Sequence, residues 1–264
     1  MNYKKFYKVS YDLLLEMAKE AGISQSELKK KYLTCKMPSS LKEIFDIMVG
    51  SATNAQRKSN TLKYFGNGNK HDEYKKLLFD FDYDKVLKKF KGNEVKLKSD
   101  IKKISQSKGD KFCIDFAYSI IDSANFLSEF KTINEFKKFL NSFDLNIHTR
   151  LALPLLLKAK IRGFGFALAC NFLKEIGCTY YSKPDVHIMK VLSEIGQCEY
   201  DEIEAFLALD RIAVGCNKTQ YEVDKIIWLI CSGTFYNNKD KETGKEVKIK
   251  GRRDELINKL KIAI

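Results

Sequence analysis

The residues of this 264-residue chain best suited to chemistry are a carboxylate, Asp185, and a glycine pair, Gly163 and Gly165, about twenty residues before it. The pair sits in the sequence Ile161-Arg162-Gly163-Phe164-Gly165, between two apolar helical segments. Glycines permit a tight turn there, and backbone amides exposed at the start of the next helix can hold a phosphate without reading sequence. Asp185 follows Pro184 and opens a further predicted helix. The dipole favours an ionised carboxylate at such a terminus, where it can stabilise positive charge or orient and deprotonate water. Residue type alone allows a plainer account, in which Asp185 is an ordinary helix N-cap. His187, two residues on, reads as structural rather than catalytic.

The elements that must position these groups are mostly helices. Apolar residues recur at three- and four-residue spacing, and the chain has only 3 prolines. With 44% hydrophobic residues it can bury a substantial core. A first helix is expected over 8–22, closed by Gly22, and a second follows the capping box Ser24-Gln25-Ser26-Glu27. Ser40 and Glu43 repeat that pattern and open a helix through LKEIFDIMVG. The small and amide residues from Gly50 to Arg57 then predict a break between two helices, where Asn and Gln side chains can meet a ligand, although residue type alone favours an ordinary capped helix–helix connection.

Residues 66–72 read as a loop, with helices expected at about 72–90 and 97–106. The stretch 109–127 is the most continuously apolar helix candidate. Its Phe112, Phe116, Tyr118 and Phe126 read as packing rather than a stacking platform. Thr132 and Glu135 cap a helix over 132–141. Further helices are expected at about 185–196, 200–208 and 219–231. A short β-hairpin around Thr243-Gly244 and a final helix close the chain.

Composition narrows the partners. Lys and Arg number 47 against 34 Asp and Glu, a net charge of +13 that predicts attraction to a polyanion, most commonly nucleic acid. The other reading is a lysine-rich solvated surface. Seven scattered cysteines without a CxxC pair fit reduced thiols, not a disulfide framework or a metal or iron–sulfur site. No membrane-length apolar run or secretion signal is present in the sequence, which predicts a cytoplasmic, nucleoid-associated protein without membrane contact.

The hairpin and the aspartate segment together resemble the helix-hairpin-helix DNA glycosylase superfamily, also called the endonuclease III superfamily. That family carries a hairpin like LPGVGxKTA followed by a segment like VDTHVxRV with its catalytic aspartate. Ile161-Arg162-Gly163-Phe164-Gly165 matches the hairpin, with arginine in place of proline, and Asp185-Val186-His187-Ile188 matches the aspartate segment. The stretch IFDIMVGSATNAQRKSNTLKYF is similar to the family's first barrel helix and base-exchange loop, and Asn54 and Arg57 are similar to the asparagine-rich loop of 8-oxoguanine glycosylases. The likeness covers about residues 41–195. Ala167 stands where bifunctional members carry the Schiff-base lysine, and the four-cysteine cluster of the iron–sulfur branch is missing.

The resemblance implies a mostly α fold of two lobes. A central six-helix lobe at 41–182 would carry the helix-hairpin-helix, and 1–40 together with 183–264 would form the second lobe. It implies a monomer acting on double-stranded DNA with a damaged or mismatched base, which is flipped out and released by hydrolysis of its N-glycosidic bond. Asp185 would be catalytic, and Arg162, Gly163, Gly165, Phe166, Asn54, Arg57 and Lys190 would contact DNA. No cofactor is required, although the resemblance allows a monovalent cation at the hairpin carbonyls. Two alternatives stand beside this reading. Lys158 or Lys160 could replace the missing nucleophile and give lyase activity, or the chain could be a non-catalytic DNA-binding module.

Overall fold

The computed structural model describes residues 2–54, 60–65, 69–239 and 244–263, and it is mostly α-helical with one small antiparallel sheet. The chain divides into two compact units. One comprises residues 1–36 and 177–264, and the other comprises residues 37–176.

The first unit holds α1 (Tyr3–Glu20), α2 (Gln25–Tyr32), α11 (Val186–Glu194), α12 (Glu202–Cys216), α13 (Gln220–Ser232), β1 (Thr234–Lys239), β2 (Glu246–Lys248) and α14 (Arg253–Ala263). Its core gathers Phe6, Leu13, Leu14 and Met17 of α1 with the apolar faces of α11–α14. The helical spacing of those residues puts them on one stripe, and burying that stripe stabilises the unit. Helix α1 starts at Tyr3 rather than at 8, because Asn2 caps it by accepting the Lys5 amide at 3.0 Å. Helix α12 runs on to Cys216 through Gly215, where the ring of Tyr3 lies against the glycine and leaves no room for a side chain.

The expected hairpin is present. Phe235 pairs with Val247 and Lys239 with Glu246, with a register shift between the two pairs, while its turn at 240–243 lies outside the described residues. Buried Tyr32 ties the sheet to α2: its hydroxyl donates to Asn238 at 2.9 Å and accepts the Asn237 amide at 3.0 Å.

The second unit holds α3 (Leu41–Thr53), α4 (His71–Leu77), α5 (Tyr83–Phe90), α6 (Glu94–Ser105), α7 (Lys111–Leu127), α8 (Ile133–Ser142), α9 (Ile147–Lys160) and α10 (Phe166–Glu175). Helix α7 is its spine and packs against α3, α5 and α6. Phe116 and Phe126 of α7 are buried in ring-on-ring packing, as the sequence predicts for them, while Phe112 and Tyr118 are half-buried.

Helix α3 runs three residues further than its apolar stretch, to Thr53, and ends inside 50–57, where the break is expected; at Gly50 the ring of Phe65 lies where a Cβ would be. One expectation changes here: the helix expected at 72–90 is two helices. Phe79, Asp80 and Phe81 all take positive φ between them and separate the two.

Candidate functional site

The hairpin belongs to the second unit. Helix α9 ends at Lys160, the chain turns through Ile161–Gly165, and α10 starts at Phe166. The Phe164 amide donates to the Ile161 carbonyl at 3.1 Å, closing a β-turn whose third position is Gly163 at φ 85°. A side chain there is strained, which explains this glycine. Gly165 has a different account. It is the N-cap of α10 at φ −84°, a conformation any residue adopts, and a Cβ built on it would meet nothing within 4 Å. Because this N-cap is a glycine, it has no side chain with which to cap α10.

The sequence-predicted hairpin contacts divide sharply. Gly163 and Gly165 are exposed. Phe166 is buried at 2% exposure, so its ring packs in the core. Arg162 is not a free cation. Its Nε and Nη2 donate to the two oxygens of Asp122 at 2.8 and 3.1 Å, and its guanidinium lies 3.7 Å from the centre of the Tyr118 ring. The carboxylate raises the guanidinium's pKa further above its ordinary value through these hydrogen bonds.

Of the two lysines before the hairpin, Lys160 pairs with Glu129 at 2.7 Å and Lys158 is exposed. Half-buried Ala167 offers no nucleophile at the second position of α10. As for a monovalent cation, the carbonyls of Ile161, Arg162 and Gly165 already accept hydrogen bonds from Phe164, Ser119 and Ala169.

Asp185 belongs to the first unit, where it is the N-cap of α11. Its Oδ1 accepts the amides of His187 at 2.9 Å and Ile188 at 3.2 Å. The approach to it is fixed by α13. Buried Asp224 accepts the Lys183 amide at 2.5 Å, and Gln220 accepts the Ser182 hydroxyl at 2.9 Å. With Ser182 and Pro184 buried, the half-buried carboxylate stands on an immobilised loop. Behind it, burial pushes the Cys231 thiol up to about 12, with the charges of Asp185 and Asp254 adding to the shift and Arg253 opposing it. That thiol is therefore not a nucleophile at neutral pH. His187 is half-buried, with Nδ1 lacking a hydrogen-bond partner, and Lys190 lies 4.0 Å from Glu194.

Asn54 is the exposed C-cap of α3, its amide bonded to the Ser51 carbonyl, and Arg57 lies outside the described residues. Sequence reasoning missed Tyr118, Ser119 and Asp122, which grip the hairpin, and Asp224, which sets the Asp185 loop. Each of the two helices carries two acids, Asp115 and Asp122 in α7 and Glu222 and Asp224 in α13, and nothing in their spacing marks which one reaches across. Among the described residues, no three His, Cys, Asp or Glu side chains gather as a metal site, and no helix is long and apolar enough to cross a membrane.

No family model matches the sequence, and no curated protein matches it. Two solved structures are similar, both from Methanocaldococcus jannaschii. One is an 8-oxoguanine glycosylase/lyase in complex with a 15mer DNA containing 8-oxoguanine; it is 19% identical, with 86% of this chain and 95% of that chain covered, at a TM-score of 0.48. The other is an 8-oxoguanine DNA glycosylase, 18% identical, with 92% of this chain and 95% of that chain covered, at a TM-score of 0.49.

Proposed function

We propose that this protein is a DNA glycosylase that hydrolyses the N-glycosidic bond of a modified or mismatched base. The observation that carries the reading is Gly165: neither its φ nor its packing requires glycine, yet it stands at the uncapped start of α10. A glycine with no internal reason suits close approach by an external group, and the start of a helix suits a phosphate. The charge of +13 supplies attraction to the same polyanion.

In this reading the hairpin amides hold the strand and Asp185 performs the chemistry. As the bond from sugar to base lengthens, the base leaves with the electron pair and positive charge develops on the deoxyribose. The Asp185 carboxylate stabilises that charge, orients a water and takes its proton as oxygen joins the sugar carbon. The product is an abasic sugar. Ala167 offers no amine, which favours water as nucleophile.

The test is a panel of duplexes carrying single oxidised, alkylated, deaminated or mismatched bases, each treated with protein and then hot alkali. A break at the lesion, lost in Asp185→Asn, supports the reading. Retained binding with no break on any duplex replaces it with a DNA-binding module. Exposed Lys158 motivates one variant of the chemistry, in which its amine attacks the sugar. Borohydride then traps a protein–DNA adduct that Lys158→Ala abolishes, whereas hydrolysis leaves none.

A further inference from the structure

Arginine at position 162 poses a physical problem for the hairpin. It is the second residue of the turn closed by Ile161 and Phe164, where proline would preset φ and lower the entropy lost on ordering. Arginine presets nothing. The constraint comes instead from α7, which presents Tyr118, Ser119 and Asp122 on one face toward the turn.

Asp122 accepts three hydrogen bonds from this one residue: from the Arg162 amide at 3.0 Å, from Nε at 2.8 Å and from Nη2 at 3.1 Å. Backbone and side chain are thus held by the same carboxylate. Ser119 adds a contact from its hydroxyl to the Arg162 carbonyl at 2.5 Å, sharing its one proton with the Asp115 carbonyl of its own helix at 2.9 Å. The Tyr118 ring supports the guanidinium from beneath. Both peptide groups flanking Arg162 are therefore fixed from α7, as is the direction in which the chain enters Gly163.

We infer that Asp122 is the positioning residue of the hairpin, holding the turn so that the amides at the start of α10 are presented to a phosphate, and that Arg162 is its strut rather than a DNA contact. This rests on the proposed role of the hairpin in holding DNA. The assignment has an opposite sign from simple electrostatics. An acid beside a polyanion site repels the ligand, so removing it should tighten binding and release an arginine for phosphate. If Asp122 positions the hairpin, removing it weakens binding despite the more favourable charge.

The experiment uses the full chain as Asp122→Asn and Arg162→Lys, which keeps the charge but not the fork geometry. Amide hydrogen exchange over residues 161–166 is measured in the free protein, and affinity for an undamaged duplex is measured across a salt series. The expected result for both variants is exchange roughly tenfold faster in the hairpin and affinity lower by about tenfold, at an unchanged salt slope. Unchanged exchange in both variants overturns the clamp. Tighter binding by Asp122→Asn overturns it too, leaving Asp122 a repelling surface charge. A different failure has a different signature: faster exchange with unchanged affinity sinks the role of the hairpin in DNA binding and this inference with it. Should Asp122→Asn fold poorly, Arg162→Lys carries the same comparison.

Discussion

Asp185 and His187 are joined by a helix cap, the carboxylate Oδ1 accepting the backbone amide two residues on at 2.9 Å. One oxygen of the proposed catalytic group is therefore engaged in holding α11. Structure and chemistry can be separated, because asparagine caps a helix as well as aspartate does. Asp185→Asn should unfold within about 0.5 kcal/mol of the parent while base release falls by a factor of about 100 or more. Asp185→Ala should lose activity and also about 1 kcal/mol of stability. Thermal melts beside single-turnover base release decide the matter, and an active Asn variant would remove Asp185 from the reaction.

Gly165 makes the converse prediction. Its φ of −84° and empty surroundings mean that alanine fits the folded chain and restricts the unfolded one. Gly165→Ala should leave stability unchanged or raise it by about 0.4–1 kcal/mol. If a DNA backbone closes on this position, the methyl group should nevertheless weaken duplex binding by about tenfold. Unaltered binding would show that nothing approaches here.

Cys231 reports the environment behind Asp185. Its thiol is pushed from 9.0 up to about 12, chiefly by burial. At pH 8 the folded chain should hold a thiolate fraction on the order of 10⁻⁴, against about a tenth when unfolded. Because the folded value is the raised one, the associated stability is fully present below about pH 9 and is lost as pH rises toward about 12. Site-resolved mass spectrometry after iodoacetamide treatment should find Cys231 unlabelled in native protein and labelled in denaturant. Rapid native labelling would contradict the packing of α13 against the Asp185 loop.

What the sequence revealed, and where it stopped, follows from how local each cause is. The box at Ser24 and Glu27 forms as its spacing predicts, since both partners lie within one turn. At Ser40 and Thr132 the N-cap forms, but the glutamates reach one residue further back, to the amides of Ser39 and Lys131. Residue types specify such a cap, and the approach of the preceding chain decides which amide completes it. The hairpin and Asp185 were legible because glycine and Pro-Asp signatures act over a few bonds.

The left-handed break at Phe79–Phe81 was not legible. Three residues without a glycine take a left-handed backbone that costs about 1–2 kcal/mol each. That cost is offset only in the folded chain, by Phe81 against Phe45 and His71 and by Phe79 against Phe90. The Arg162 clamp was hidden for the same reason, because Asp122 lies 40 positions from its partner and only the packing of α7 brings them together.

Two glycines with nearly the same backbone separate conformational cost from crowding. Gly22, after α1, has φ 70° and open space around a built Cβ. Gly233, after α13, has φ 65°, but there the Cβ would fall on the Ile249 carbonyl oxygen and lie 2.9 Å from the Gly251 nitrogen. The chain leaving β2 docks at that point, with the Ile249 amide donating to the Gly233 carbonyl at 2.9 Å and the Arg252 amide to the Ile230 carbonyl at 2.8 Å. Gly22→Ala should therefore lose only the left-handed cost, about 1 kcal/mol. Gly233→Ala carries that cost and must also displace backbone that cannot rotate away, so a loss of about 2 kcal/mol or more is expected. Urea denaturation of the two variants reads the difference directly. Equal losses would mean that the segment from Ile249 to Gly251 does not pack on the end of α13.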